Sequence, residues 1–239
     1  RGFYPEISLN KKVDRKLWCG SFITTYIERD IRNVLNIGDL NQLERFLISC
    51  AVRTGQILNI SEIARDIGIS ITTAKRWLSL LEAGGLLYLL YPYYRNIGKR
   101  IIKSPKIYFT DTGILSYLLG IDNYKSLFNS YLFGNLFETM VICDVLKRFL
   151  HYGEKPNMYY LRSRDGMELD LIIEINGKLD LIEIKAAETI NPKSLISLKK
   201  LLDFFGKNVE KAIVISCSKD NFFIKEGIAN FGWENILLL

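Results

Sequence analysis

Glu168-Leu-Asp-Leu-Ile-Ile-Glu-Ile-Asn-Gly-Lys-Leu-Asp-Leu-Ile-Glu-Ile-Lys185 decides the fold of the carboxyl-terminal half. Two β-rich runs, 168–175 and 179–185, flank Asn176-Gly177, the dipeptide that best accepts the positive φ angles of a type I′ turn. The spacing predicts a tight antiparallel hairpin. Side chains alternate along a strand, so Glu183 and Lys185 project to one face. Asp170 lies on the partner strand, near the same end of the hairpin and far from the turn. Two carboxylates and an ammonium group can thus converge in a small volume. Like charges held together cost free energy unless a cation neutralises them. Mg²⁺ does so with one or two carboxylates and retained waters. Such a centre favours attack of water on a phosphate, with Lys185 stabilising the negative charge that develops. Alternating Glu and Lys also mark many solvated sheet faces, and that reading stays open beside the first.

Outward from the hairpin, the pattern reads helix (132–150), strand (157–162), the hairpin itself, helix, and strand (211–216). The second helix opens after Asn191-Pro192, with proline at its first position, and runs to Phe205. Ile236 to Leu239 reads as a last strand. The amino-terminal half is helical: apolar residues recur at helical spacing over 14–36 and 40–54. Ser61 is placed to cap a short helix, Gly68 to end it, and Ser70 to cap a second helix that stops at Gly84-Gly85. Helix, tight turn and helix at this spacing predict a helix-turn-helix. Strands at 86–91 and Lys106–Phe109 then enclose Arg95, Lys99, Arg100 and Lys103 with no acid among them, the expected wing of a winged helix. Asp111 caps a helix over 113–119, and 121–131 reads as a connecting loop. The expected organisation is an amino-terminal helical segment (1–39), a winged helix-turn-helix (40–112) and an α/β domain (113–239).

Composition narrows the chemistry. The 239 residues carry a net charge of +6. Residues 1–110 hold 17 Lys/Arg against 9 Asp/Glu, and 111–239 hold 15 against 17. The positive excess of the first half suits a polyanion partner such as DNA, and equally an ordinary basic protein. On the second helix, Thr72, Thr73, Lys75 and Arg76 are exposed by periodicity and carry phosphate- and base-edge-binding chemistry; the bland alternative is a solvated basic face. The wing residues Arg95, Lys99, Arg100 and Lys103 could lie along a phosphate backbone. Tyr91, Tyr93 and Tyr94 read as base-stacking or packing residues. A single histidine, His151, argues against Cys/His zinc sites and Ser-His-Asp catalysis. Four dispersed cysteines read as free thiols of a reducing compartment. No apolar run approaches membrane-spanning length, so the expected location is cytoplasmic. No phosphate-binding GxxxxGK[ST] loop occurs.

Asp170 followed across a hairpin by Glu183-Ile184-Lys185 resembles the Asp…Glu-x-Lys motif of the PD-(D/E)XK nuclease superfamily, and the order helix, three strands, helix, strand resembles its core. The resemblance implies a restriction-endonuclease-like α/β (α+β) domain. Asp170, Glu183 and the Ile184 carbonyl would then be ligands for Mg²⁺ or Mn²⁺. Lys185 would be the catalytic lysine, and Glu138, in Gly134-Asn-Leu-Phe-Glu138, an accessory acid; Glu168 is a weaker candidate. A longer resemblance covers nearly the whole chain. Tyr26-Ile-Glu-Arg-Asp-Ile31, Asn59 to Ala64, Lys103 to Gly113 and Glu168-Leu-Asp170 are similar to the carboxyl-terminal part of a group of prokaryotic AAA-type ATPases. There a P-loop ATPase domain precedes a winged helix and a nuclease-like domain. This implies an ATPase domain, not contained in this chain, as a partner. The expected function is DNA binding with metal-dependent phosphodiester cleavage. The alternatives are a non-catalytic DNA-binding module with a vestigial site, and a protein-interaction module that regulates an ATPase.

Overall fold

The computed structural model describes residues 2–31, 40–94, 103–164, 166–191, 195–225 and 227–238, and it is a mixed α/β protein. Its contacts divide the chain into two units, residues 1–89 with 106–139 and residues 90–105 with 140–239.

Several helices of the first unit start where a side chain can satisfy an orphan amide. After α1 (Pro5–Leu9), Asp14 accepts the Leu17 N–H at 2.8 Å and opens α2 (Arg15–Thr25). α2 passes into a π-helical segment, Tyr26–Ile31, within the helix expected over 14–36, whose residues 32–36 lie outside the described residues. α3 (Leu40–Val52) follows. α4 (Ile60–Ile67) is capped by Asn59, whose side chain accepts from the Glu62 amide, rather than by the expected Ser61. Gly68 ends α4 in the left-handed conformation, at φ 80°, as its sequence position implied. Ser70 caps α5 (Ile71–Ala83), accepting from the Thr73 amide at 3.0 Å. Trp77 and Leu78 point into the core, with Trp77 edge-on to Phe46 at 5.5 Å. Asn59→Ala should therefore cost about 1 kcal/mol in urea denaturation, while Ser61→Ala should stay within about 0.5 kcal/mol. The reverse ranking would return the cap to Ser61.

β1 (Leu87–Leu90) and β2 (Lys106–Phe109) form a two-stranded sheet, and Asp111 caps α6 (Thr112–Leu118), accepting from Ile114 at 2.8 Å. The segment read as a loop at 121–131 contains a short helix, α7 (Tyr124–Phe128), held by a capping box between Asn123 and Ser126. α8 (Phe133–His151) begins in the first unit and ends in the second. Residues 113–139 were expected with the α/β domain. They belong to the first unit because Ile114, Leu115, Ile121, Leu132 and Leu136 join the core around Leu43 and Phe46.

The second unit is built on a six-stranded sheet of order β3-β4-β5-β6-β8-β7. Its strands are β3 (Met158–Arg162), β4 (Glu168–Ile175), β5 (Lys178–Lys185), β6 (Val209–Ser216), β7 (Phe222–Lys225) and β8 (Ile228–Gly232). β3 and β5 each pair antiparallel with β4 between them, whereas β5, β6 and β8 run parallel. The crossover from β5 to β6 carries α9 (Ile196–Phe205), which buries Leu198, Leu201 and Phe205 against Ile172, Leu181 and Val214. The expected first-position proline, Pro192, lies outside the described residues. The β7–β8 hairpin was not foreseen. Trp233–Leu238 forms a 3-10 helix where a last strand was expected, since the sheet is already completed by Ile228–Gly232.

The segment read as a wing is attached differently from the expectation. Residues 90–105 count with the second unit. The Tyr93 amide donates to the Tyr160 carbonyl at 2.8 Å, and the Tyr160 amide to the Tyr91 carbonyl at 3.1 Å. The Tyr160 hydroxyl donates to the Ser104 carbonyl. The described ends of the basic loop are thus fastened along β3. No helix among the described residues is long and apolar enough to cross a membrane.

Candidate metal centre

The hairpin forms as its turn dictates. Asn176 and Gly177 both take positive φ, 52° and 77°, and pairing runs from Ile175 opposite Lys178 to Leu171 opposite Ile182. One further step in this register would set Asp170 opposite Glu183. A two-residue loop makes its flanking residues a hydrogen-bonded pair, so by alternation an unbroken ladder would put 170 and 183 at a non-hydrogen-bonded position, where side chains come closest.

The regular ladder ends at that step. Between Tyr159–Ile172 and Leu161–Leu169, β3 advances two residues while β4 advances three. The extra residue is a β-bulge at Asp170–Leu171, the device that re-aims a side chain beside many sites. Asp170 Oδ2 then accepts the Ile184 N–H at 2.8 Å. The N–H and C=O of one strand residue face the same neighbour, so the Ile184 carbonyl also faces the β4 side, next to Asp170.

Asp170 and Glu183 are 8% and 6% exposed. Lys185 Nζ donates to Glu183 Oε1, while the buried Glu183 Oε2 has no hydrogen-bond partner. An unsatisfied buried carboxylate oxygen is costly. Burial is the main cause that holds the Glu183 carboxyl up to about 8, the charge of Asp170 adds to it, and Lys185 opposes both. Glu168 adds a smaller push in the same direction, and it also pairs with Arg162 at 3.6 Å. Near neutral pH the cluster therefore retains a proton that a cation could replace. The donor set fits a hard divalent ion that keeps several waters: a free Glu183 oxygen, the Asp170 carboxylate and the Ile184 carbonyl.

Among the described residues no three His, Cys, Asp or Glu side chains come together as a metal cage. In the first unit, Glu138 Oε1 accepts from Lys106 Nζ at 3.0 Å and from the Tyr108 hydroxyl at 2.5 Å. On α5, Thr72, Lys75 and Arg76 are exposed and Thr73 is half-buried, its hydroxyl 2.8 Å from that of Ser70. Lys103 is exposed, whereas Arg95, Lys99 and Arg100 lie outside the described residues. The bulge and the orphaned oxygen had no signal in the sequence, because both arise from pairing between distant segments.

The fold and the hairpin define a mixed α/β protein with a site of two carboxylates and a lysine. The chain belongs to the family described as Domain of unknown function (DUF8612), whose model matches residues 1–125. Residues 133–235 match a second model, Domain of unknown function (DUF4143). Uncharacterized protein Rv2008c of Mycobacterium tuberculosis and Uncharacterized protein Mb2031c of Mycobacterium bovis are each 34% identical to it over 189 residues, 79% of this chain and 42% of theirs. The chain thus spans about two-fifths of the length of these relatives.

Proposed function

We propose that this protein binds DNA and cleaves a phosphodiester with a divalent cation, Mg²⁺ or Mn²⁺, at Asp170, Glu183 and the Ile184 carbonyl. The observation that carries the reading is the buried, unpartnered Glu183 Oε2 beside Asp170 and Lys185. A winged helix followed by a PD-(D/E)XK-type domain is the architecture this reading assigns to the two units. A cation bound there would neutralise the phosphate and lower the pKa of an attacking water. Lys185, partly exposed and paired with Glu183 Oε1, would hold the attacking water and the developing negative charge. Glu183 would hold the cation as a carboxylate, its proton released to solvent. Asp170 holds the Ile184 amide and so fixes the carbonyl beside it. Within the first unit Glu138 stays bonded to Lys106 and Tyr108, and its part as an accessory acid belongs to this proposal.

Mn²⁺ binding followed by calorimetry tests the centre directly. Asp170→Asn retains an oxygen acceptor for the Ile184 amide but loses the charge, so it should fold and bind the ion at least about tenfold more weakly. Equal binding by both proteins would remove the centre. DNA contact is assigned to Thr72, Thr73, Lys75 and Arg76 on α5 and to the basic loop through Lys103. Lys75→Ala with Arg76→Ala should weaken duplex binding and flatten its dependence on log salt by roughly two. An unchanged salt slope would discard α5 as the contact.

A second reading is a non-catalytic DNA-binding module with a vestigial site, favoured because among the described residues no three His, Cys, Asp or Glu side chains come together as a metal cage. It predicts DNA binding without metal-dependent cutting. The family resemblance adds an ATPase domain as the partner such a module would regulate.

A further inference from the structure

We infer that the β3 edge of the second unit is a single-stranded DNA track leading to Asp170 and Glu183, built from Tyr91, Tyr94, Lys103, Arg162 and Arg164. The inference deepens the reading of the hairpin as a phosphodiester site, since it names the form of DNA presented there.

The edge strand β3 is lined by the segment 91–94, held through the two backbone bonds between Tyr160 and residues 91 and 93. The three tyrosines of this segment divide sharply. Tyr93 is 6% exposed and packs edge-on against Tyr159 and Phe205, at 5.5 and 5.9 Å. Tyr91 and Tyr94 are each 51% exposed. One tyrosine therefore anchors the segment and two present ring surface to solvent. The Tyr94 hydroxyl donates to the Lys103 carbonyl at 3.2 Å, which fixes the ring beside an exposed lysine. Further along the same edge, Arg162 and Arg164 are exposed, and Arg162 is the ladder partner of Glu168, two residues from Asp170. The Arg162–Glu168 pair at 3.6 Å leaves both side chains well exposed, so the guanidinium can exchange its partner for a phosphate at little cost.

Aromatic faces alternating with cations along one groove are the chemistry of single-strand binding. Unpaired bases stack on the rings and phosphates follow the charges. The burial of the acids points the same way. With Asp170 and Glu183 more than nine-tenths covered, a narrow and bendable strand reaches them more readily than a stiff duplex. Adjacent strands lie roughly 4.8 Å apart, so β5 is about 10 Å from β3, within two nucleotides of the edge.

Fluorescence anisotropy of a labelled short oligothymidine and of a duplex of the same length, both in EDTA, tests the track without requiring catalysis. Tyr91→Ala with Tyr94→Ala should weaken oligothymidine binding at least about tenfold and leave duplex binding within about twofold. The corresponding double Phe variant should retain single-strand affinity, because the ring and not the hydroxyl stacks. Arg162→Ala with Arg164→Ala should flatten the salt dependence for the single strand. Unchanged oligothymidine affinity in the double Ala variant, or equal losses for both DNAs, would overturn the track. Loss of single-strand binding in that variant, in a protein that never cuts DNA, would keep the track and remove only the catalytic reading.

Discussion

Lys185→Ala should lower metal-dependent DNA cleavage at least about a hundredfold, with DNA binding unchanged. The ammonium group of Lys185 already rests on Glu183 Oε1. Its side chain is partly exposed, so truncation opens no large cavity and the fold should survive. Plasmid, linear and branched DNA offered with Mg²⁺ or Mn²⁺ would reveal both the activity and its preferred form of DNA. Equal cutting by the variant and the parent would eliminate Lys185 as the catalytic lysine. No cutting by either, with DNA still bound, would favour the non-catalytic module.

The second large effect is on stability against pH. Glu183 titrates at about 8 in the folded chain and near its ordinary 4.5 when unfolded. Between those values the folded state holds a proton that the unfolded state has released. Stability therefore falls as pH rises through this window, by up to about 1.4 kcal/mol per pH unit, and levels off above it. The groups acting on the carboxyl are its own burial, Asp170, Lys185 and Glu168. Glu183→Gln cannot ionise, so its urea midpoint should be nearly flat across the window and exceed that of the parent at pH 9. Mn²⁺ should raise the parent's midpoint most at the alkaline end and leave the variant almost unmoved. Parallel pH curves for the two proteins would show that Glu183 is not the strained acid.

Local chemistry made much of this legible from sequence. Asn176-Gly177 fixed the hairpin because few other dipeptides tolerate two positive φ angles, and Gly68, Ser70 and Asp111 marked helix ends through groups they satisfy within three residues. Asn59-x-x-Glu62 is itself a capping-box pattern, and Asn59 rather than Ser61 provides the cap. Asn123 and Ser126 likewise announced α7. What stayed hidden was non-local. The bulge at Asp170 depends on how β3 pairs with β4, and the orphaned oxygen of Glu183 depends on everything packed around it. The basic loop looked like a wing because its flanking strands pair with each other. Its ends are bonded to Tyr160, more than fifty residues away, and no short-range pattern encodes that partner.

The bonding of Tyr91, Tyr93 and Ser104 to Tyr160 sets the span of the family match apart from the span that folds. The family matches break between 125 and 133, yet the second unit includes residues that precede this break, Tyr91, Tyr93 and Ser104 among them. A polypeptide cut at the break and carrying only the downstream match would leave the backbone of Tyr160 without the amide of Tyr93 and the carbonyl of Tyr91. Its bare sheet margin would seek another strand to pair with. Any replacement of the upstream match that kept this sheet margin paired would have to supply the same strip of backbone beside Tyr160.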